Sequence, residues 1–145
     1  MDAGLLGQIG LGACLGLAAL GSAAGAGIAG MAAIGSWKKC LLQNKPLPFI
    51  LVAFAGAPLT QTIYGFILMQ TLFNTQVLSA FQVLGIGLFA GVGMGASAIA
   101  QGAAGAAACD AYAETGQGFG NYMLILGLCE TVALFVMVFS MLMAS

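Results

Sequence analysis

The sequence predicts an all-α membrane protein in which four transmembrane helices form two tandem hairpins. Hydrophobic residues make up 61% of its 145 residues and charged residues only 5%, whereas a soluble domain carries about 25% charged residues. The few charges lie in clusters, and the uncharged runs between them are long enough to cross the roughly 30 Å hydrocarbon core. We therefore expect a chain that is solvated by lipid, with one hairpin over 1–75 and the other over 76–145.

The first hairpin is predicted from two apolar runs with a group of lysines between them. The run after Asp2 predicts helix 1 over about 3–36, ahead of lysines at 38, 39 and 45. The next run predicts helix 2 over about 48–74, where the polar sequence Asn74-Thr75-Gln76 begins. Because the first run is too long for the apolar part of a signal peptide and no basic segment precedes it, we interpret it as a membrane span.

The second hairpin is predicted in the same way. Helix 3 is expected over about 78–108, before a charged loop that contains Asp110 and Glu114. Helix 4 is expected over about 121–144, and the one charge within it is Glu130. A charged side chain near the bilayer centre costs about 2.5–3.5 kcal/mol even on the most lenient scale, so it indicates a function by default.

The lysines also predict the orientation of the chain in the cell membrane. Basic residues favour cytoplasmic loops, and all three lysines lie in the loop over 36–47. With four spans, the loop over 109–120 is then cytoplasmic as well, and both termini face outside.

The composition argues against several classes of site. A net charge of −1 disfavours a nucleic-acid partner. The chain has no His and no Arg, so the commonest metal ligand and the commonest general base are both missing. The four cysteines form no Cys-x-x-Cys pair, which makes a zinc or redox site unexpected. We also expect no ATP chemistry in this chain, since the sequence contains no phosphate-binding loop.

Glycine distinguishes two kinds of helix, each of which occurs twice. Helices 1 and 3 are rich in glycine at four-residue spacings, which allows close approach of helix backbones, whereas helices 2 and 4 are bulky. This order suggests an internal duplication. The segment Leu59-x-Gln61-Thr62-x3-Phe66 parallels Leu128-x-Glu130-Thr131-x3-Phe135, so Gln61 occupies the position that Glu130 has in the second hairpin.

Polar residues in the apolar spans form a candidate ion site around Glu130. In helix 2, Ala57, Thr60, Gln61 and Tyr64 follow the spacing of one helical face. Pro58 lies at the same level and has no N–H, so it should loosen that turn of the helix. Taken singly, Thr60 and Tyr64 are also compatible with purely structural roles, and a Gln more often links helices than binds a ligand.

The chemistry of these residues favours Na⁺ as the ligand. Glu130, Thr60, Gln61 and Gln101 in helix 3 offer oxygen atoms, which hard cations prefer, and one carboxylate neutralises one monovalent charge. Tyr64 can donate its hydroxyl hydrogen to the carboxylate. A site for a proton alone needs fewer oxygens, so H⁺ remains the alternative.

Three motifs in these helices resemble a known family. Residues 58–66 read P-L-T-Q-T-I-Y-G-F, residues 99–102 read I-A-Q-G and residues 129–131 read C-E-T. They are similar to the helix 2, helix 3 and helix 4 motifs of the sodium-type rotor proteolipid, the K or c subunit, of bacterial V-type ATPases. The resemblance implies a closed ring of identical subunits, with helices 1 and 3 inside and helices 2 and 4 outside. It also implies a Na⁺ site formed by Glu130, Gln101, Thr60, Gln61 and the backbone carbonyl of Ala57, with Tyr64 holding the carboxylate.

The same resemblance implies the function and the partners. As a non-catalytic rotor subunit without a cofactor, the chain would carry Na⁺ or, alternatively, H⁺ on Glu130 as the ring turns against a membrane stator subunit. A cation of that stator would face Glu130, lipid would surround the ring, and central-stalk subunits would dock on the two cytoplasmic loops. A four-helix ion-coupled antiporter and a structural proteolipid are the rival interpretations.

Overall fold

A computed structural model describes residues 3–145, and Met1 and Asp2 lie outside the described part of the chain. Within the described range the chain is helical apart from short turns and contains no β-strand. Its elements are α1 (Ala3–Leu42), α2 (Leu51–Gly56), a 3₁₀ turn (Ala57–Leu59), α3 (Thr60–Asn74), α4 (Ala80–Thr115) and α5 (Phe119–Met143).

Four helical segments among the described residues are long and apolar enough to cross a membrane, which confirms the predicted fold class. They are Gly4–Leu42, Leu51–Asn74, Ala80–Thr115 and Phe119–Met143. The first and third spans are α1 and α4, the second consists of α2, the 3₁₀ turn and α3, and the fourth is α5.

The ends of α1 and α4 lie well past their predicted positions. The two helices contain 40 and 36 residues, which corresponds to lengths of about 60 and 54 Å. Both project beyond a hydrocarbon core of about 30 Å. Charged side chains on such a projection remain in water, so the charges at 38–39 and 110–114 do not end the helices.

The predicted loop boundaries 36–47 and 109–120 are therefore wrong, because most of their residues are helical. At these two connections the turns are the shorter segments 43–50 and 116–118. Gly116 ends α4 with a left-handed φ of 66°, and its N–H bonds to the Tyr112 carbonyl at 2.7 Å, as in a common glycine-terminated helix end. Near these turns Lys39 of α1 pairs with Glu114 of α4 and lies 3.9 Å from Asp110.

The second span begins at Leu51, three residues after the predicted start, and is interrupted at Pro58. Proline has no N–H and cannot complete the α-helical bonding of this turn, so residues 57–59 form a 3₁₀ turn. The N–H of Thr60 then bonds to the Ala57 carbonyl. The expected loosening of the helix at Pro58 is thus confirmed, and it places Ala57 and Thr60 side by side.

Close contact between glycines holds α1 against α4. A Cβ atom added to Gly87 would lie 2.0 Å from the carbonyl oxygen of Gly10, and one added to Gly102 would lie 2.2 Å from that of Gly25. No side chain larger than hydrogen fits these positions without a shift of backbone. The glycine-rich spans therefore pair along their lengths, in parallel, and α3 and α5 pack beside them.

Candidate functional site

The predicted site residues meet between α3, α4 and α5, with Glu130 near the middle of α5. The hydroxyl of Tyr64 donates a hydrogen bond of 2.6 Å to Glu130 Oε1. Both side chains are partly buried. The bond joins the second span to the fourth and fixes one oxygen of the carboxylate.

Gln101 of α4 approaches the other carboxylate oxygen and is fully buried. Its Nε2 donates to the Leu126 carbonyl at 2.9 Å and to Glu130 Oε2 at 3.4 Å. Leu126 lies one turn before Glu130, so Gln101 contacts both the helix that carries the carboxylate and the carboxylate itself. Two hydrogen-bond donors from two spans thus converge on Glu130.

Gln61 of α3, also fully buried, extends the network towards the second span. Its Nε2 donates to Gln101 Oε1 at 2.8 Å and to Ser97 Oγ at 3.4 Å. Gln61 does not contact Glu130 directly, so its amide reaches the carboxylate through Gln101.

Thr60 and Ala57 bring further oxygens to the same region. The Thr60 hydroxyl lies 3.1 Å from the Ala57 carbonyl oxygen and 3.3 Å from Gln61 Oε1. The 3₁₀ turn at Pro58 produces this cluster, because it brings residue 60 next to the carbonyl of residue 57. Three uncharged oxygens are therefore gathered beside the buried Gln61–Gln101 pair.

Ser97 belongs to the network although the sequence analysis did not single it out. Its hydroxyl donates to the Cys129 carbonyl at 2.6 Å and accepts from Gln61 Nε2. Ser97 lies four residues before Gln101, which places the two side chains on the same face of α4. That spacing could have revealed it, but a small serine among glycines and alanines does not stand out as a larger polar residue in an apolar span does.

The assembled residues provide oxygen atoms and a single carboxylate. Residues 3–145 contain no group of three or more His, Cys, Asp or Glu side chains that could hold a metal ion. A site with one carboxylate and several neutral oxygens suits a monovalent hard cation better than a transition metal.

Comparison with known proteins finds a family match for the segment that carries Ser97, Gln101 and Glu130. Residues 84–143 match the model of the family of ATP synthase C subunits. The second hairpin is therefore similar to this family. The chain is also 35% identical to the A-type ATP synthase subunit K of Methanocaldococcus jannaschii, and the alignment covers 99% of this chain. The chain spans 63% of the length of that archaeal protein.

These matches agree with the resemblance to a rotor proteolipid that the motifs of the sequence indicate. The family match covers α5 and most of α4, and the similarity to the A-type subunit K extends over the first hairpin as well. Neither description names the transported ion.

Proposed function

We propose that this chain is an ion-carrying subunit of the membrane rotor ring of an A/V-type ATP synthase or ATPase, and that Glu130 carries Na⁺. Identical subunits would close the ring, with α1 and α4 on the inside and the second and fourth spans on the outside. ATP would be hydrolysed or made by other subunits of the complex.

The observation that carries this proposal is the hydrogen-bonded network of Glu130, Tyr64, Gln101, Gln61 and Thr60 across three spans. A lone carboxylate in a membrane is costly to keep charged. Bound Na⁺ would neutralise that charge, and the loaded site could then pass through lipid as the ring turns.

The neutral oxygens support Na⁺ rather than H⁺ as the cargo. Thr60 Oγ1 has two other oxygens within 3.3 Å, the Ala57 carbonyl and Gln61 Oε1. A hard cation gains from each such oxygen, whereas a proton on Glu130 would need only one acceptor.

The surroundings of Glu130 support ion exchange from the side of the ring. Apolar side chains next to it on α5 are largely exposed, with Leu128 at 65% and Val132 at 53%, while Glu130 itself is partly exposed. This face suits contact with lipid and, at one place, with a stator subunit. A cation on the stator would meet the bare carboxylate after the ion has left and would prevent leakage.

The turns 43–50 and 116–118 lie at the same end of the helix bundle, together with the lysines that favour a cytoplasmic location. This end suits the docking of the central stalk. This end would therefore lie in the cytoplasm and the C-terminus outside.

Labelling of Glu130 by a hydrophobic carbodiimide tests the function, because the reagent modifies the protonated carboxyl group and bound Na⁺ excludes the proton. We expect Na⁺ to protect the purified full-length protein strongly at alkaline pH. E130Q should abolish labelling, whereas the matched change E114Q, at the 53% exposed glutamate of α4, should leave it intact. Labelling that responds to pH but not to Na⁺ would make the cargo H⁺. A detergent-purified particle smaller than a ring would instead favour the antiporter or the structural proteolipid.

A further inference from the structure

Ser97 connects the second and fourth spans, which flank it at the level of the ion site. It is 6% exposed and lies one turn before Gln101 on α4. Its hydroxyl is 2.6 Å from the Cys129 carbonyl of α5 and 3.4 Å from Gln61 Nε2 of α3. It therefore contacts the residue before Glu130 and the amide of Gln61 simultaneously.

The hydrogen of Ser97 can serve only one of these partners. A serine hydroxyl has one hydrogen to donate and two lone pairs that accept. The Cys129 carbonyl can only accept, so the Ser97 hydrogen is committed to it. Towards Gln61 the hydroxyl presents lone pairs alone, and Gln61 must turn its NH₂ group to Ser97.

Gln101 imposes the same orientation on Gln61. Its Nε2 donates to the Leu126 carbonyl and to Glu130 Oε2, so its oxygen is the atom that remains for Gln61. The NH₂ group of Gln61 thus has two acceptors, Gln101 Oε1 and Ser97 Oγ. The oxygen of Gln61 consequently points to Thr60.

We infer that Ser97 is a positioning residue of the ion site, which turns the oxygen of the Gln61 amide rather than its NH₂ group towards the bound Na⁺. This inference rests on the proposed function. Without the Ser97 hydroxyl, one N–H of Gln61 loses its acceptor, and the bond to Gln101 alone then holds the amide in this orientation. An NH₂ group in place of the oxygen would repel the cation but would leave the Tyr64–Glu130 bond unchanged.

The test compares S97A and S97C with the matched control S22A in the detergent-purified full-length protein. Ser22 is likewise buried, at 1% exposure, and its hydroxyl has no hydrogen-bond partner among residues 3–145. Cysteine at 97 fills the space of serine but is a weak donor and a weak acceptor. We expect the Na⁺ concentration for half-protection from carbodiimide to rise about three- to tenfold in S97A and S97C, the effect of one hydrogen bond, and to stay unchanged in S22A.

A second readout separates positioning from packing. The pH midpoint of labelling without Na⁺ should be the same in the wild type and in all three variants, because Ser97 does not contact the carboxylate. Wild-type Na⁺ protection in S97C would overturn the inference, and so would a shifted pH midpoint. S97C alone decides the matter if S97A does not assemble. Wild-type protection in S97C or a shifted pH midpoint would leave the proposed sodium function intact. A wild-type protein that Na⁺ does not protect would overturn both the sodium function and the role of Ser97.

Discussion

Tyr64 and Glu130 lie 66 positions apart in the chain and are joined by a hydrogen bond of 2.6 Å between the phenol hydroxyl and carboxylate Oε1. The bond connects the second span to the fourth. Because this bond uses Oε1, Glu130 Oε2 can accept a hydrogen bond from Gln101 Nε2, so the carboxylate is held from two directions.

Removal of the Tyr64 hydroxyl should weaken ion binding without unfolding the protein. In Y64F the ring remains and one charge-assisted hydrogen bond is lost, which is worth about 1.5–3 kcal/mol. We expect the Na⁺ concentration for half-protection from carbodiimide to rise by about tenfold or more, in line with that loss. Y122F is the matched control, because the Tyr122 ring packs on Phe54 with centroids 6.0 Å apart. Equal Na⁺ protection in Y64F and Y122F would contradict the role of Tyr64.

Truncation of Gln101 should cost both stability and Na⁺ binding. Q101A removes one hydrogen-bond partner each from Gln61, Glu130 and the Leu126 carbonyl, and an unsatisfied buried group costs about 1–3 kcal/mol. Because a bound ligand stabilises the folded state, the melting temperature of the wild type should rise with added Na⁺. We expect a lower melting temperature in Q101A that no longer responds to Na⁺. A variant that is less stable but keeps the full Na⁺-dependent rise would show that Gln101 is only structural.

Close packing of α1 against α4 should make Gly102 intolerant of any side chain. In G102A the new methyl group would lie 2.2 Å from the Gly25 carbonyl oxygen, and such overpacking costs about 1–3 kcal/mol or more. We expect little monodisperse protein after size-exclusion chromatography in detergent. G120A is the control, since a Cβ at that position would meet no atom within 4 Å apart from its chain neighbours and the adjoining backbone of its own helix, and it should purify like the wild type. Normal yield of G102A would contradict the observed contact.

The site residues that the sequence predicts are those whose polar side chains are energetically unfavourable in a membrane span. Glu130, Gln61 and Gln101 stand out because polar groups are expensive in apolar spans, and Pro58 predicts its irregular turn for a steric reason. Ser97 escaped notice because serine is small and common beside glycine. Its role depends on which atoms it meets on two other helices, and no spacing within α4 specifies those.

The helix ends could not be predicted from charge alone. The charges of Lys39 and Glu114 predict loops, yet each residue lies on a helix that continues past the hydrocarbon core, where the two side chains pair across α1 and α4. Solvation by water outside the core removes the cost of those charges. The charges therefore mark the edge of the membrane, not the end of a helix, while Gly116 ends α4 through its left-handed backbone.

Equilibrium binding of radioactive Na⁺ to the purified full-length protein tests most directly whether Glu130 carries this ion. The proposed function predicts saturable binding of about one Na⁺ per chain in the wild type and none in E130Q, with E114Q equal to the wild type. Unchanged binding in E130Q, or no saturable binding in the wild type, would contradict it.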